Sequence, residues 1–206
     1  MNTQFYIFLD VDGVLHPATW RVRGLTQDAM RDMSFGEIQF QAAMRGIRTD
    51  VDGLPFSRIP PFETAVRTHL DHLQIVITSS WRTTPELYDA ILEAMSPDVR
   101  ARMAGKTPQG LSRPLGINRW LNDFGHPEAR SIVLEDDDSH AWRHLDKGAM
   151  VFLTETQQGF TEEDGQCLAR LLSLDLLAFT AMQQSLPPVC RSPEIMDWIA
   201  RSYRGI

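Results

Sequence analysis

The sequence predicts an α/β fold built on a central, mainly parallel sheet, and three observations carry that prediction. Short apolar runs recur at Phe5–Leu9, Ile75–Ile77, Ile132–Leu134 and Met150–Leu153, and runs of that length suit strands buried on both faces. Segments with apolar residues at helical spacing lie between most of them. Three of the runs stop abruptly at polar or acidic residues, so chemistry-bearing side chains gather at strand ends, where ligands of such sheets sit.

Taken in order, Phe5-Tyr6-Ile7-Phe8-Leu9 is the first strand and ends in Asp10 and Asp12. A polar stretch punctuated by glycine runs from His16 to about Ile59 without clean periodicity. Pro60-Pro61 opens a helix with Phe62, Val66, Leu70 and Leu73 on one side, and the strand Ile75-Val76-Ile77 closes on Thr78-Ser79-Ser80. Thr84-Pro85-Glu86 starts the next helix, with Thr84 as cap and Leu87, Ile91 and Met95 as the buried stripe. Gly105 to Gly110 reads as a loop. Pro114 begins a helix carrying Ile117, Trp120, Leu121 and Phe124, and Ile132-Val133-Leu134 then ends in Glu135-Asp136-Asp137-Asp138. After the fourth strand, Thr161-Glu162-Glu163-Asp164 is a capped helix start before Leu168, Leu171 and Leu172. Ser192-Pro193-Glu194 starts the last helix, with Ile195, Trp198 and Ile199 on its apolar face.

The chain has 206 residues, 43% of them hydrophobic and 23% charged, which suits one domain with a small elaboration. No apolar run approaches bilayer length, and Met1-Asn2-Thr3-Gln4 lacks the basic region of a secretory leader. Cys167 and Cys190 are too few for a disulfide framework and read as small buried hydrophobes in a reducing compartment. A cytoplasmic protein without membrane contact is expected. The net charge of −7 is the opposite of the basic excess that holds long nucleic acid, so no extended nucleic-acid binding is expected either. No sequence signal addresses oligomeric state.

If the strands ending in Asp10-Val11-Asp12-Gly13, Thr78-Ser79-Ser80 and Glu135-Asp136-Asp137 are neighbours, several carboxylates crowd one edge of the sheet. Crowded, desolvated carboxylates repel, and a hard divalent cation bound by oxygens, Mg²⁺ above all, resolves the repulsion. Asp10 and Asp12 would share a strand face were the strand to continue, but Gly13 suggests a turn that aims both at one site. One carboxylate can then attack phosphorus while the other handles the leaving group's proton. Thr78 or Ser79 can donate to phosphoryl oxygens, and Lys106 or Arg113 can balance developing charge.

Ile7-Phe8-Leu9-Asp10-Val11-Asp12-Gly13-Val14-Leu15 resembles the first motif of the haloacid-dehalogenase (HAD) superfamily of phosphatases. Ile75 to Ser80 is similar to the second motif, and Val133 to Asp137 to the fourth. Ser79-Ser80-Trp81-Arg82, Lys106-Thr107-Pro108, Arg113 before Ile117 and Trp120-Leu121, and Gly159-Phe160-Thr161 resemble the small HAD domains of bacterial RNA repair proteins. The resemblance implies a Rossmann-like three-layer sandwich with a small insert after strand 1. It makes residues 1–206 a single HAD-like domain, with a cap or lid in 16–60 and a C-terminal helical extension over 175–206.

By position, the resemblance makes Asp10 the nucleophile and Asp12 the general acid/base, whose backbone carbonyl also meets the metal. Thr78 would be the phosphate-binding hydroxyl, with Ser79 the alternative. Arg113 fits the subfamily and Lys106 the usual residue type for the third-motif cation. Asp136 with Asp137 beside it would complete the Mg²⁺ site, Glu135 being the shifted possibility, and Gly13, Ser80 and Arg82 would contact substrate.

Bland readings stand beside these. Asp50-Val51-Asp52-Gly53 repeats the first motif's letters after Arg48-Thr49 rather than after an apolar run, and reads as a turn. Neither segment is a calcium loop, because glycine falls at the fourth position rather than the sixth. His140 and His144 read as exposed helical histidines, Trp81 as core or pocket wall, and His16 as near enough to touch substrate. Arg21, Arg23, Arg45 and Arg48 are candidate anion contacts of the lid. The expected function is a Mg²⁺-dependent phosphomonoesterase acting through an aspartyl-phosphate on a nucleotide or nucleic-acid end. The alternatives are a silent phosphate- or metal-binding module and a phosphatase of a non-nucleotide small metabolite.

Overall fold

Strand β1 (Phe5–Leu9) is buried along its whole length because its side chains alternate between two cores, Phe5, Ile7 and Leu9 entering one and Tyr6 and Phe8 the other. The computed structural model describes residues 5–17, 56–126, 128–145 and 149–202. Most of the 16–60 insert, its four arginines and the Asp50–Gly53 turn lie outside the described residues.

The described chain continues through α1 (Ile59–Val66), β2 (Leu73–Ile77), α2 (Pro85–Ala94), α3 (Pro97–Arg100) and β3 (Met103–Lys106). It then runs through α4 (Arg113–Phe124), β4 (Arg130–Glu135), β5 (Ala149–Leu153), α5 (Glu162–Ser173), α6 (Leu176–Ser185), β6 (Val189–Arg191) and α7 (Ser192–Ser202). Single 3-10 turns cover Arg67–His72, Ser80–Thr83 and Trp142–His144. The six strands form one parallel sheet in the order β3-β2-β1-β4-β5-β6. Among the described residues no helix is long and apolar enough to cross a membrane.

The two cores make the sandwich. On one face Phe62 and Val66 of α1, Ile91 of α2, Leu168 and Leu171 of α5, Phe179 of α6 and Ile195 of α7 pack against Ile7, Ile75, Ile132 and Phe152. On the other, Ile117 and Trp120 of α4, with Trp142, cover Tyr6, Phe8, Val76, Val133 and Val151. The Trp120 ring meets Tyr6 and Phe8 edge-on at 5.2 and 5.6 Å. Cys167 and Cys190 are free and buried, and burial pushes their thiols up to about 12 and about 11.

The fold departs from the sequence reading in several places. The helix opened by Pro60-Pro61 ends at Val66, leaving Leu70 in a 3-10 turn and Leu73 in β2. Phe124 is exposed, and the Thr84 side chain makes no capping hydrogen bond. Gly105, expected in a loop, lies in β3, which is only half-buried at a sheet edge and has no β-branched residue to signal it. A register shift between Ile75 and Val76 accommodates Gly105, whose φ is +112°. The segment read as a helical extension over 175–206 carries β6, three residues that pair with Val151, Phe152 and Leu153. Thr161 and Asp164 form the expected cap as a full capping box.

Register places the site. Leu9 pairs with both Ile77 and Leu134, so β1, β2 and β4 end level. The ladder runs one residue further, through Asp10 N–H to the Leu134 carbonyl, Thr78 N–H to that of Leu9 and Thr107 N–H to that of Ile77. The chain leaves β1 for β2 on one side and reaches β4 on the other, which opens a crevice at the carboxyl ends of β1 and β4. Truncating Phe8, fully buried against Trp120, should lower unfolding free energy by about 3–5 kcal/mol with an unchanged urea m-value. A loss under about 1 kcal/mol would contradict a close-packed second core.

Candidate active site

Asp10 sits in the crevice with 2% exposure. Its Oδ2 lies 3.0 Å from Nη1 of Arg113, the first residue of α4, while Oδ1 is buried without a hydrogen-bond partner among the described residues. The same Arg113 nitrogen donates to Glu135 Oε2, and among the described residues the rest of its guanidinium makes no hydrogen bond. Burial alone would lower the pKa of Arg113, but the flanking Asp10 and Glu135 carboxylates more than offset it, so the group is held firmly cationic.

Glu135 is wholly buried at the end of β4, and its Oε1 accepts from Asp136 N–H at 3.2 Å. Burial, then the Asp10 charge, push its carboxyl up to about 9 against the pull of Arg113. Burial and Asp10 raise Asp136 as well. One oxygen each from Asp10, Glu135 and Asp136 lies within 4.8 Å of the others. An all-oxygen donor set, mutual repulsion and a buried oxygen without a partner together fit a hard divalent cation.

Gly13 is required where it stands. Its φ is +72°, and an added Cβ would lie 2.1 Å from Asp136 Oδ2, so only glycine lets the first-motif turn approach this carboxylate. The buried Thr154 hydroxyl donates to the Gly13 carbonyl at 2.7 Å and joins that turn to the end of β5.

Asp12 lies across the turn with its carboxylate fixed at both oxygens. His16 Nε2 meets Oδ1 at 2.9 Å, and the Trp81 indole N–H donates to Oδ2 at 2.9 Å. Burial drives the pKa of His16 down against the raising effect of Asp12 and Asp10.

The remaining sequence candidates fall into distinct places. Thr78 is buried and among the described residues its hydroxyl lacks a partner, as does that of Thr107 just after β3. Ser79 is engaged locally, its Oγ accepting from Trp81 N–H at 3.3 Å, and Ser80 is exposed. Arg82, expected to meet substrate, is buried and donates instead to the carbonyls of Thr78 and Ser79 at 2.5 Å, Thr107 at 3.2 Å and Pro108 at 3.4 Å. Lys106 donates to the Arg82 carbonyl at 2.9 Å and lies over the Tyr88 ring, whereas Arg113 reaches Asp10. Asp137, expected beside Asp136 on the metal, turns away because the Ser139 N–H and O–H both close on its carboxylate at 2.8 Å. The Ser139 hydrogen bonds hold Asp137 below the usual carboxylate range.

A family model described as the HAD domain in Swiss Army Knife RNA repair proteins matches residues 6–165. The chain belongs to this family. Both resemblances read from the motifs, to the superfamily and to its RNA-repair branch, agree with the match, and membership supports a hydrolase of the phosphatase kind. No curated protein and no solved structure matches the chain. In this HAD domain the match takes in every residue of the acidic cluster and stops within α5.

Sequence reasoning missed Thr107 and Thr154 and underweighted His16 and Trp81. Thr154 follows the apolar run Met150–Leu153, so the rule that found Thr78 would have found it, whereas Thr107 follows β3, which carries no strand signature.

Glu135 makes a pH prediction. Its folded pKa stands above the unfolded value of about 4.3, so the native state binds the extra proton and stability falls as pH rises from about 4.3 toward about 9. In metal-free buffer, urea unfolding between about pH 5 and about pH 8 should show a shallower decline for Glu135→Gln than for wild type. Equal slopes would show that Glu135 is not held protonated.

Proposed function

We propose that this HAD domain is a Mg²⁺-dependent phosphomonoesterase that acts through an aspartyl-phosphate on Asp10, with a nucleotide or nucleic-acid end as substrate. The observation that carries the reading is the asymmetry of Asp10: one oxygen is tied to Arg113 and the other is buried, bare and beside two further carboxylates. A carboxylate kept only for structure would have both oxygens satisfied.

In this reading an Asp10 oxygen forms a bond to phosphorus while the ester P–O bond breaks, and Asp12 gives the leaving oxygen its proton. Asp12 then takes a proton from water as that water attacks phosphorus, the bond to Asp10 breaks and inorganic phosphate leaves. The Thr78 hydroxyl, buried and without a partner, is suited to donate to a phosphoryl oxygen. The unengaged part of the Arg113 guanidinium is suited to the same charge. Asp10, Asp136 and Glu135 would hold Mg²⁺, which when bound neutralises the carboxylates and the phosphate and polarises phosphorus.

The substrate class rests on the family description, which ties these domains to RNA repair proteins, and on charge. A net charge of −7 suits a terminal phosphate or a free nucleotide better than a long polyanion.

The test is inorganic phosphate release from a panel of nucleoside monophosphates, sugar phosphates and 3′- or 5′-phosphorylated oligonucleotides, with Mg²⁺ and with chelator. Release that needs Mg²⁺, vanishes in Asp10→Asn and falls about 10²- to 10⁴-fold in Asp12→Asn is expected, with folding unchanged in both. A folded wild type that binds Mg²⁺ and releases phosphate from no member would overturn the enzyme in favour of a binding module.

A further inference from the structure

Resting on that reading, we infer that Thr107 is a second phosphate-binding residue, whose hydroxyl donates beside that of Thr78 to the phosphoryl group that Asp10 attacks.

The inference starts from the polar atoms that the fold leaves unused. Among the described residues, the buried side-chain oxygens without a hydrogen-bond partner are Asp10 Oδ1, Thr78 Oγ1, Thr107 Oγ1 and Ser57 Oγ. The first three stand side by side. Leu9 pairs with Ile77 and Ile77 with Lys106, so the next residues, Asp10, Thr78 and Thr107, share one level across β1, β2 and β3. Two backbone bonds of 2.9 Å hold that level, from Thr78 N–H to the Leu9 carbonyl and from Thr107 N–H to that of Ile77. Residues two apart on a strand face the same way. Phe8 and Val76 lie in the core beneath α4, and Asp10 and Thr78 follow them on that face. Thr107 follows Gly105, the partner of Val76, and so joins the row. The helix above agrees: a Cβ on Gly116 of α4, one turn beyond Arg113, would lie 3.6 Å from Thr107 Cβ and 3.8 Å from its Oγ1.

Thr107 is fixed by its backbone alone. Its N–H is spent on Ile77, and its carbonyl accepts from Arg82 Nε at 3.2 Å. Arg82 Nη2 also donates to the Pro108 carbonyl at 3.4 Å, which pins the turn behind it. The residue is 2% exposed, and a hydroxyl buried there without a partner costs stability and returns nothing to the fold. A ligand that accepts from it recovers that cost. The chemistry of the ligand follows from the neighbours. Strand spacing of about 4.8 Å brings the Thr78 and Thr107 hydroxyls close enough for two oxygens of one tetrahedral phosphoryl group to accept one hydrogen bond each, of about 2.7 Å. Arg113 approaches that group from the side of Asp10 and Glu135. Lys106, level with Ile77, turns to the opposite face and lies over the Tyr88 ring. The β3 side of the phosphoryl group is therefore met by a neutral hydroxyl rather than by a cation.

The test separates phosphate binding from folding. Thr107→Val keeps the shape and removes the donor, while Thr107→Ser keeps the donor. With Mg²⁺ present, calorimetric titration with inorganic phosphate should give a Kd raised about 10- to 100-fold in Thr107→Val and within about threefold of wild type in Thr107→Ser. The value of kcat/KM should fall by a similar factor on every ester of the panel, because the phosphoryl group is common to all and the leaving groups differ. In ligand-free protein the urea midpoint of Thr107→Val should stand at or above that of wild type, since a methyl group replaces a hydroxyl that has no partner. If Thr107→Val does not fold, Thr107→Ala carries the same comparison against Thr107→Ser. Phosphate affinity and kcat/KM within about twofold of wild type, a loss confined to some esters, or a lowered urea midpoint in Thr107→Val would overturn the inference and leave the phosphatase reading intact. A wild type that cleaves no ester yet loses phosphate affinity in Thr107→Val would overturn the phosphatase reading alone. A wild type that neither cleaves an ester nor binds phosphate would overturn both.

Discussion

Arg113 lies between two carboxylates that would repel each other in a dry crevice, and the arrangement of the site depends on that ion pair. Asp10 and Glu135 end adjacent parallel strands, so the level register of β1 and β4 forces them together. Two buried carboxylates at this spacing cannot both ionise cheaply; the guanidinium nitrogen shared between them offsets part of the cost, and the raised pKa of Glu135 answers the rest. Asp136 adds a third carboxylate that Arg113 does not reach, and Gly13 makes room for it. The cluster is thus short of positive charge in a way that a bound cation would answer.

Around this centre the backbone does most of the placing. Thr78, Thr107 and Asp10 each extend a strand ladder by one residue, which ranks three chemistry-bearing side chains along the sheet edge. Arg82 binds carbonyls from the ends of β2 and β3 and holds those two loops as one unit. A buried arginine so engaged acts as a staple for backbone acceptors that would otherwise lack donors.

Much of this was legible in the sequence, for reasons that also mark where legibility stopped. Asp10, Asp12 and Thr78 follow unbroken apolar runs, so a strand ending in chemistry could be read directly. In Glu135-Asp136-Asp137-Asp138 four acids look alike, and the distinction lies in hydrogen bonds made elsewhere. The Glu135 carbonyl accepts from Thr154 N–H, which keeps Glu135 in the sheet, while Ser139 turns Asp137 outward. Strand β3 escaped notice because Met-Ala-Gly-Lys at a half-exposed edge has no strand signature, and β6 because it is three residues long. The partnership of Trp81 with Asp12 joins positions 69 apart in the chain, and no local pattern reports it.

Thr154 links the site to a part of the chain outside the family match. Its hydroxyl holds the Gly13 turn, and its carbonyl accepts from Arg191 of β6 at 3.2 Å, a strand beyond residue 165. The outermost strand thus braces the Asp10–Gly13 turn across β5. A domain cut at residue 165, where the family match ends, would keep Asp10, Asp12, Thr78, Arg113, Glu135 and Asp136 while losing the strand that braces their edge of the sheet.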